Sequence, residues 1–330
     1  MEDLETEKLT DSVTPIVSVC IQTYQHAAYI AQCLESVLMQ QTNFPFEIIV
    51  GEDESIDGTR DICIAYAEKH PDKIRLFLRS RENVIYINGR ATGRHNFIEN
   101  LKATRGKYVA LCEGDDYWTD PYKLQKQVDF LESNPECAMT FHDSSTIDAN
   151  GKVLIELGVR KRTKIARNSE EAFLRYIPTA SVMFRNHLIK ELPKEFYTVL
   201  NLDRLFWGLL TQHGYFKFIE DIRPSVYRVH PGGMWSAQFA LNKYTQRVQI
   251  METLLTVLKP AYKKGINHYL SVRYYRLTAS YIEHSYSLKK ILQSYLKSVQ
   301  ANFKAKNKTR AFIKGHRKIA GSIYKSVKKI

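Results

Sequence analysis

The sequence predicts an α/β fold: a mostly parallel sheet with helices on both faces, followed by a basic helical C-terminal region. Three observations predict it. Short apolar runs rich in β-branched residues alternate with stretches of helical periodicity as far as about residue 141, which is the pattern of βαβ units. Those runs are mostly apolar, with Ser18 and Glu47 as isolated polar members, and show no regular alternation with polar residues, as expected of strands covered on both faces. The charge also divides along the chain. The 330 residues carry a net +13, yet residues 251–330 hold 18 Lys and Arg against only Glu252 and Glu283.

The elements follow in order. IVSVCI (Ile16 to Ile21) reads as a buried first strand. Ile30, Cys33, Leu34, Val37 and Leu38 then recur at helical spacing. FEIIV (Phe46 to Val50) is a second strand, and a helix over Asp57 to Ala67 has Asp57 as its N-cap. Ile74 to Leu78 is a third strand, Asn96 to Ala103 a helix, and YVALC (Tyr108 to Cys112) a fourth strand. Pro121 to Leu131 reads as a helix with proline in its first turn, and Cys137 to Phe141 as a fifth strand. Asn150-Gly151 marks a hairpin turn. Ala180 to Phe184 and Pro224 to Val229 read as further strands, and Leu202 to Leu210 as a helix. Beyond Gly232-Gly233 the chain is helical in tendency, interrupted at Gly265 and Gly315.

Composition narrows the possibilities. With 44% apolar and 25% charged residues the chain can bury a large core, so wholesale disorder, collagen and coiled coil are excluded. Five cysteines without a C-x-x-C pair argue for buried free thiols in a reducing compartment and against a zinc site. No stretch reaches the ~20 apolar residues that span a bilayer. The acidic start MEDLETEKLT is unlike a signal peptide. The expectation is a cytoplasmic protein that touches a membrane only from the surface. The organisation expected is a leader at 1–14, a sheet-based domain at 15–236 divided into halves at 15–120 and 121–236, and the basic region at 237–330.

In parallel sheets ligands bind beyond the carboxyl ends of the strands, so three turns carry the functional expectation. After the first strand stand Thr23 and Tyr24, a hydroxyl and a ring able to hold a heterocycle or ribose. After the second comes GEDESIDGT, where Glu52 and Asp53 can accept from a base N–H or from ribose hydroxyls. After the fourth comes Glu113-Gly114-Asp115-Asp116, whose oxygen ligands suit a hard divalent cation that also meets substrate phosphates.

Taken together and in this order, the three turns resemble glycosyltransferase family 2, the inverting nucleotide-sugar-dependent enzymes of the Rossmann-like GT-A fold. IVSVCIQTYQ is similar to the family's opening strand and P-T-Y-N, with Gln22 for proline and Gln25 for asparagine. EIIVGEDESIDGT is similar to E-I-I-V-V-D-D-G-S-T-D-G-T, with Glu52 for the first acid, Asp53 kept, and Glu54 for a usual glycine. Glu113-Gly114-Asp115 resembles the D-x-D metal motif, and Asn96 falls where an R-N pair often stands, here split by His95. DDYWTDPYKLQKQVDFLESNPE and LNLDRLFWGLLTQHGYFKFIED resemble a bacterial subgroup, and the likeness covers about residues 15–236.

The resemblance implies transfer of a sugar from a nucleoside diphosphate sugar, a UDP-sugar first among the candidates, to a hydroxyl with inversion. The acceptor would be a glycan or a lipid-linked molecule of cell-surface polysaccharide or glycolipid synthesis. Thr23, Tyr24, Glu52, Asp53 and Asn96 would hold the nucleotide. Asp115 would bind Mn²⁺ or Mg²⁺, with Glu113 and Asp116 orienting and His230 as a further ligand. Asp203 would be the general base, with Glu220 and Asp221 as rivals. Arg228 could clamp a phosphate, and Trp118 and Trp235 could stack on a sugar. Residues 300–330, with Phe303, Phe312, Ile313, Ile319, Ile323 and Tyr324 among lysines, have the pattern of an interfacial helix for an anionic membrane. A nucleotidyltransferase would show a glycine-rich basic loop, absent from TYQHAAYI. A nucleic-acid-binding protein would leave the acidic turns without a role, so no nucleic-acid partner is expected. A non-catalytic GT-A protein is the remaining alternative, given Glu52, Glu54 and Glu113.

Overall fold

In the computed structural model the described residues are 4–5, 14–158, 173–174, 176–188, 191–200, 202–233, 240–305 and 321. Trp235, Gly315 and most of the distal tail lie outside them. The chain groups into two compact units, Met1–Thr198 with His213–Gly233, and Val199–Gln212 with Met234–Ile330.

The first unit is built on an eight-stranded sheet. Its strands are β1 (Leu4–Glu5), β2 (Val17–Thr23), β3 (Phe46–Glu52), β4 (Ile74–Leu78), β7 (Tyr108–Leu111), β8 (Cys137–Phe141), β11 (Met183–Arg185) and β12 (Tyr215–Phe218). They lie in the order β1-β4-β3-β2-β7-β11-β8-β12. The central strands β4, β3, β2 and β7 are parallel. β11 runs antiparallel between β7 and β8. The two-residue β1 pairs with β4 inside the segment read as a leader. The helices α1 (Ile30–Leu38), α2 (Thr59–Lys69), α3 (Arg94–Lys102) and α4 (Lys123–Ser133) cover the sheet.

Burial explains the apolar runs. Val17, Val19 and Ile21 of β2 pack with Ile48 and Val50 of β3, Ala110 of β7, and Ile30, Cys33, Leu34 and Val37 of α1 in one core. Each large aliphatic side chain so buried contributes about 1.5–3 kcal/mol. All five cysteines are buried free thiols.

Three features go beyond the elements read from the sequence, although the strand over Pro224 to Val229 and the Asn150-Gly151 hairpin turn are both present. β5 (Ile85–Ile87) and β6 (Arg90–Thr92) form a short hairpin. β9 (Ser144–Asp148), β10 (Val153–Ile155) and β13 (Ser225–Val229) form a second sheet, in which the Asn150-Gly151 turn joins β9 to β10. An antiparallel bridge between Tyr117 and Val226 ties β13 to the segment after β7.

Several boundaries also differ. Gly58 caps α2, with φ 97°, while Asp57 Oδ1 accepts from the Thr59 N–H at 3.0 Å. Pro121 lies before α4, because Asp120 Oδ1 takes the Tyr122 N–H at 2.9 Å and the helix begins at Lys123. Ala180 belongs to a 3₁₀ turn, and its strand starts at Met183.

The second unit is helical: α5 (Leu202–Leu210), α6 (Ala240–Val257), α7 (Lys263–Glu283) and α8 (Leu288–Lys304). Gly208 lets α6 approach α5 closely; a Cβ there would stand 2.5 Å from Leu254. Small hydroxyls let α7 and α8 meet, with Ser298 Oγ donating to Ser271 O at 2.7 Å and Thr278 Oγ1 to Ser294 Oγ at 2.9 Å. Gly265 does not interrupt this region but sits in the first turn of α7; the break falls at Pro260, which starts a 3₁₀ turn. Among the described residues no helix is long and apolar enough to cross a membrane.

Candidate active site

The carboxyl ends of β3, β2 and β7 lie side by side, and backbone bonds fasten their turns together. Asp53 N–H donates to Thr23 O at 3.1 Å, and Gly114 N–H to Gln22 O at 3.0 Å. The loop after β2 is stitched to the loop after β3. Gln25 N–H reaches Ser55 Oγ at 2.9 Å, His26 N–H reaches Thr59 Oγ1 at 2.8 Å, and Ala27 N–H reaches Asp57 Oδ2 at 3.0 Å. Both turns contain a left-handed residue, Gln25 with φ 56° and Glu54 with φ 58°. Such values favour Asn and Gly, so the two family positions at which this chain departs from those residues are places where the backbone asks for them.

At the β7 end stands a group of three ligating side chains. The ligand atoms of His26, Asp115 and His230 all lie within 4.8 Å of one another. His230 Nε2 is 3.0 Å from Asp115 Oδ2, and His26 Nε2 is 3.9 Å from the same oxygen. His26 Nδ1 meets Thr23 Oγ1 at 3.2 Å, which orients the ring so that Nε2 faces the carboxylate. Burial raises the Asp115 carboxyl, but the His230 contact and the charges of both histidines outweigh it and hold it below the usual range. Burial, helped by His230, keeps His26 below its ordinary value against the pull of Asp115 and Asp57.

His230 arrives through the Tyr117–Val226 bridge, with Tyr117 N–H donating to Val226 O at 3.2 Å and Val226 N–H to Tyr117 O at 2.8 Å. Asp116 turns inward: its Oδ1 accepts from Arg228 N–H at 2.9 Å. Burial, then the neighbouring charges of Asp115 and Glu113, push its pKa well up. The Arg228 side chain is buried over the Tyr29 ring at 4.6 Å and donates to Gln32 Oε1 at 2.8 Å and Asp115 O at 3.2 Å. It holds the turn from behind.

At the β3 end, Arg81 NH1 pairs with Asp53 Oδ2 at 2.7 Å, and its guanidinium lies 3.9 Å from the centre of the Tyr24 ring. Asp53 is buried, while Tyr24 is 38% exposed. Burial is the largest influence on Asp53 and raises it despite Arg81. Glu52 is wholly buried; it accepts from Ser55 N–H at 2.7 Å and binds Arg60. Asn96 is buried with both ends of its amide engaged: Nδ2 donates to Gly51 O at 2.7 Å, and Oδ1 accepts from Arg79 Nε at 3.0 Å. Glu52 and Asn96 therefore brace the turn from inside.

Thr23, Tyr24, Asp53 and Asp115 thus come together along one sheet edge with His230. Glu113 sits in the same turn and is not one of the three clustered donors. Trp118 is buried and donates to Ala180 O at 2.7 Å, so it is a packing residue and has no face to offer a sugar. Asp203 is exposed in the first turn of α5, in the second unit. Asp221 is exposed and lies 3.9 Å from Lys126, and Glu220 is exposed beside it. Sequence reasoning missed His26 and Arg81. The available signal for His26 was its place in the same turn as Thr23; Arg81 offered none.

The family model for Glycosyl transferase family 2 matches residues 18–192. An uncharacterized protein of Mycobacterium tuberculosis is 33% identical over 247 residues, 72% of this chain and 64% of that one, so the chain spans less than two thirds of that relative. The putative teichuronic acid biosynthesis glycosyltransferase TuaG of Bacillus subtilis is 34% identical over 143 residues, 42% of this chain and 51% of that one. Among solved structures, residues 1–349 of S. aureus TarS in complex with UDP-GlcNAc superpose with a TM-score of 0.59 at 18% identity, covering 94% of this chain and 92% of that one. The mannosyltransferase PcManGT from Pyrobaculum calidifontis, in complex with GDP-Man and Mn²⁺, does so with 0.56 at 18%, covering 99% and 90%. These structural likenesses are of fold, and the fold is GT-A.

Proposed function

This chain belongs to glycosyl transferase family 2, and on that footing we propose that it moves a sugar from a UDP-sugar to an acceptor hydroxyl with inversion, assisted by a divalent metal. The observation that carries the proposal is Asp115 flanked by His26 and His230, on the same sheet edge as Asp53 and Tyr24. Relatives support the donor class: TarS is known in complex with UDP-GlcNAc and PcManGT with GDP-Man.

Tyr24 and Asp53, joined by Arg81, are the residues assigned to hold the base. The Tyr24 face offers stacking, and the Asp53 carboxylate accepts from a base N–H. Thr23 orients His26 through the contact of its Oγ1 with His26 Nδ1. The donor set of two imidazoles and one carboxylate suits Mn²⁺ better than Mg²⁺, which prefers oxygen ligands throughout. A metal held by His26, Asp115 and His230 would supply Lewis-acid neutralisation of the leaving diphosphate. Asp203 is assigned the general base that takes the acceptor proton, since single displacement needs one carboxylate. Asp116 and Glu113 orient the turn.

The acceptor is proposed to be a glycan or lipid-linked molecule of cell-surface synthesis. A peripheral position at the inner membrane face fits α8, where Leu292, Leu296 and Phe303 are exposed near Lys289 and Lys297.

A donor panel tests the proposal. UDP-, GDP- and dTDP-sugars are screened for slow hydrolysis with Mn²⁺, alongside nucleotide-induced thermal shifts. Release of UDP from one UDP-sugar, lost in Asp115→Ala, is the expected result. No shift and no nucleotide release with any donor would overturn it.

A further inference from the structure

The second unit gathers arginines from three helices. Arg204 stands in the first turn of α5, Arg247 in the middle of α6, and Arg273 and Arg276 three residues apart on α7. Residues at that spacing share a helix face, and Tyr269 lies on the same face one turn earlier. α5 packs on α6, and α6 on α7. Arg204, Arg247 and Arg276 each lie close enough to Arg273 for their charges to act on it. Burial, then Arg204, Arg247 and Arg276 in that order, bring Arg273 down to about 10, against the pull of Tyr269. Burial also lowers Arg204, against the pull of Asp203 and Tyr269. The side chains are not sealed away: Arg204, Arg247 and Arg273 are half-buried, and Arg276 is exposed.

Like charges brought to one partly desolvated place oppose folding. A chain that keeps them there gives up stability, the usual mark of a functional cluster. Guanidinium forks match the oxygens of phosphate two at a time, and the first turn of a nine-residue helix adds donor N–H groups and positive dipole.

We infer that Arg204, Arg247, Arg273 and Arg276 form an anion site on the helical unit that holds a phosphate or diphosphate group. Resting on the transferase reading above, that group belongs to the acceptor, because Arg204 is the direct chain neighbour of Asp203, the base assigned to the acceptor hydroxyl. The acceptor class is then a phosphate-bearing one, either a lipid diphosphate or a soluble phosphate ester.

The full chain, in EDTA and saturated with UDP, is titrated calorimetrically with inorganic pyrophosphate at low ionic strength. One site per chain is expected. Arg273→Gln/Arg276→Gln should weaken it by about tenfold or more, with an unchanged or raised Tm because mutual repulsion is relieved. Asp115→Asn should leave it intact. Unchanged affinity in the double arginine variant overturns the site. A clear fall in its Tm overturns it too, by making the cluster structural. Loss of binding in Asp115→Asn, or no binding once UDP is present, assigns the anion to the donor and also overturns it.

A second arm compares the two sources. Phosphatidylcholine vesicles containing an isoprenyl diphosphate are set against phosphatidylglycerol vesicles of equal charge. Preference for the diphosphate vesicles, lost in the variant, supports the site with a lipid source. Binding of soluble pyrophosphate alone supports it with a soluble source. Equal retention of parent and variant on both vesicles shows unspecific charge attraction and overturns it. None of these readouts uses turnover, so failure of the transferase assignment and failure of the anion site are separately visible.

Discussion

The glycine between Glu113 and Asp115 offers a sharp test of how the site is held. A Cβ on Gly114 would stand 2.6 Å from Thr23 Oγ1, 2.7 Å from Thr23 Cβ and 3.0 Å from His26 Nδ1. The Gly114 backbone is not left-handed, so alanine costs contact rather than conformation. Ordinary contact begins near 3.4 Å, so Thr23 must withdraw by about 0.8 Å, and Thr23 is buried in the end of β2. His26 moves with it, because Thr23 Oγ1 is the partner of its Nδ1. Ligand sets tolerate only about 0.5 Å of displacement. Gly114→Ala should therefore weaken Mn²⁺ binding by about 10–100-fold, while overpacking costs about 1–3 kcal/mol of stability. Titration followed by the EPR signal of free Mn²⁺ measures the first, and urea unfolding the second. Parental Mn²⁺ affinity in a folded Gly114→Ala protein would refute the idea that Thr23 and His26 form one unit with Asp115.

Further outcomes follow from other residues. Asp203→Asn should lower kcat by about 10²–10⁴ with little change in donor KM, and an unchanged kcat in steady-state assays removes it as the base. Lys123 is wholly buried, 4.0 Å from the Trp118 ring centre, and burial lowers it to about 7. Since the unfolded value is ~10.4, the unfolded chain binds more protons between these pH values, so Lys123 makes stability climb with pH by at most ~1.4 kcal/mol per unit. Lys123→Met should be more stable near pH 7 and lack that climb; identical pH slopes for parent and variant in chemical denaturation would contradict it. Glu54→Gly should raise Tm by removing a strained φ worth about 1 kcal/mol, less the bond from Arg81 N–H to Glu54 Oε2, and a lowered Tm would show that the bond outweighs the strain. Leu296→Glu/Phe303→Glu should halt co-sedimentation with anionic vesicles, and undiminished pelleting would end the membrane role of α8.

The sheet was legible because parallel strands buried on both faces are mostly apolar, as IVSVCI, FEIIV and YVALC are; their two polar members, Ser18 and Glu47, are buried and bonded to each other at 2.6 Å. Their carboxyl ends then named Thr23, Asp53 and Asp115 by a rule of topology alone. The second sheet was hidden because β9 reads SSTID, with Ile147 its one apolar residue, and gains its strand character from pairing with β13 some eighty residues later. Asn96 and Glu52 carried functional residue types, but their side chains point into the framework, and only packing decides that. His26 had only its place beside Thr23 to mark it, because its value depends on the distance to a carboxylate from another strand. The arginine cluster was diluted in sequence, where Arg204 and Arg247 lie outside the basic stretch at 251–330.

The route of the backbone between its two units has one more consequence. It leaves the sheet at Thr198, contributes α5 to the helical body, returns at His213 for β12 and β13, and departs again at Gly233. Neither body is a contiguous stretch of gene. A recombination event or a truncation that removed the helices at any single cut would also take either α5 from its partners or an edge strand and His230 from the sheet. The arginine-rich helices are thus inherited together with the chemistry, and cannot be exchanged as a cassette in the way an appended tail can.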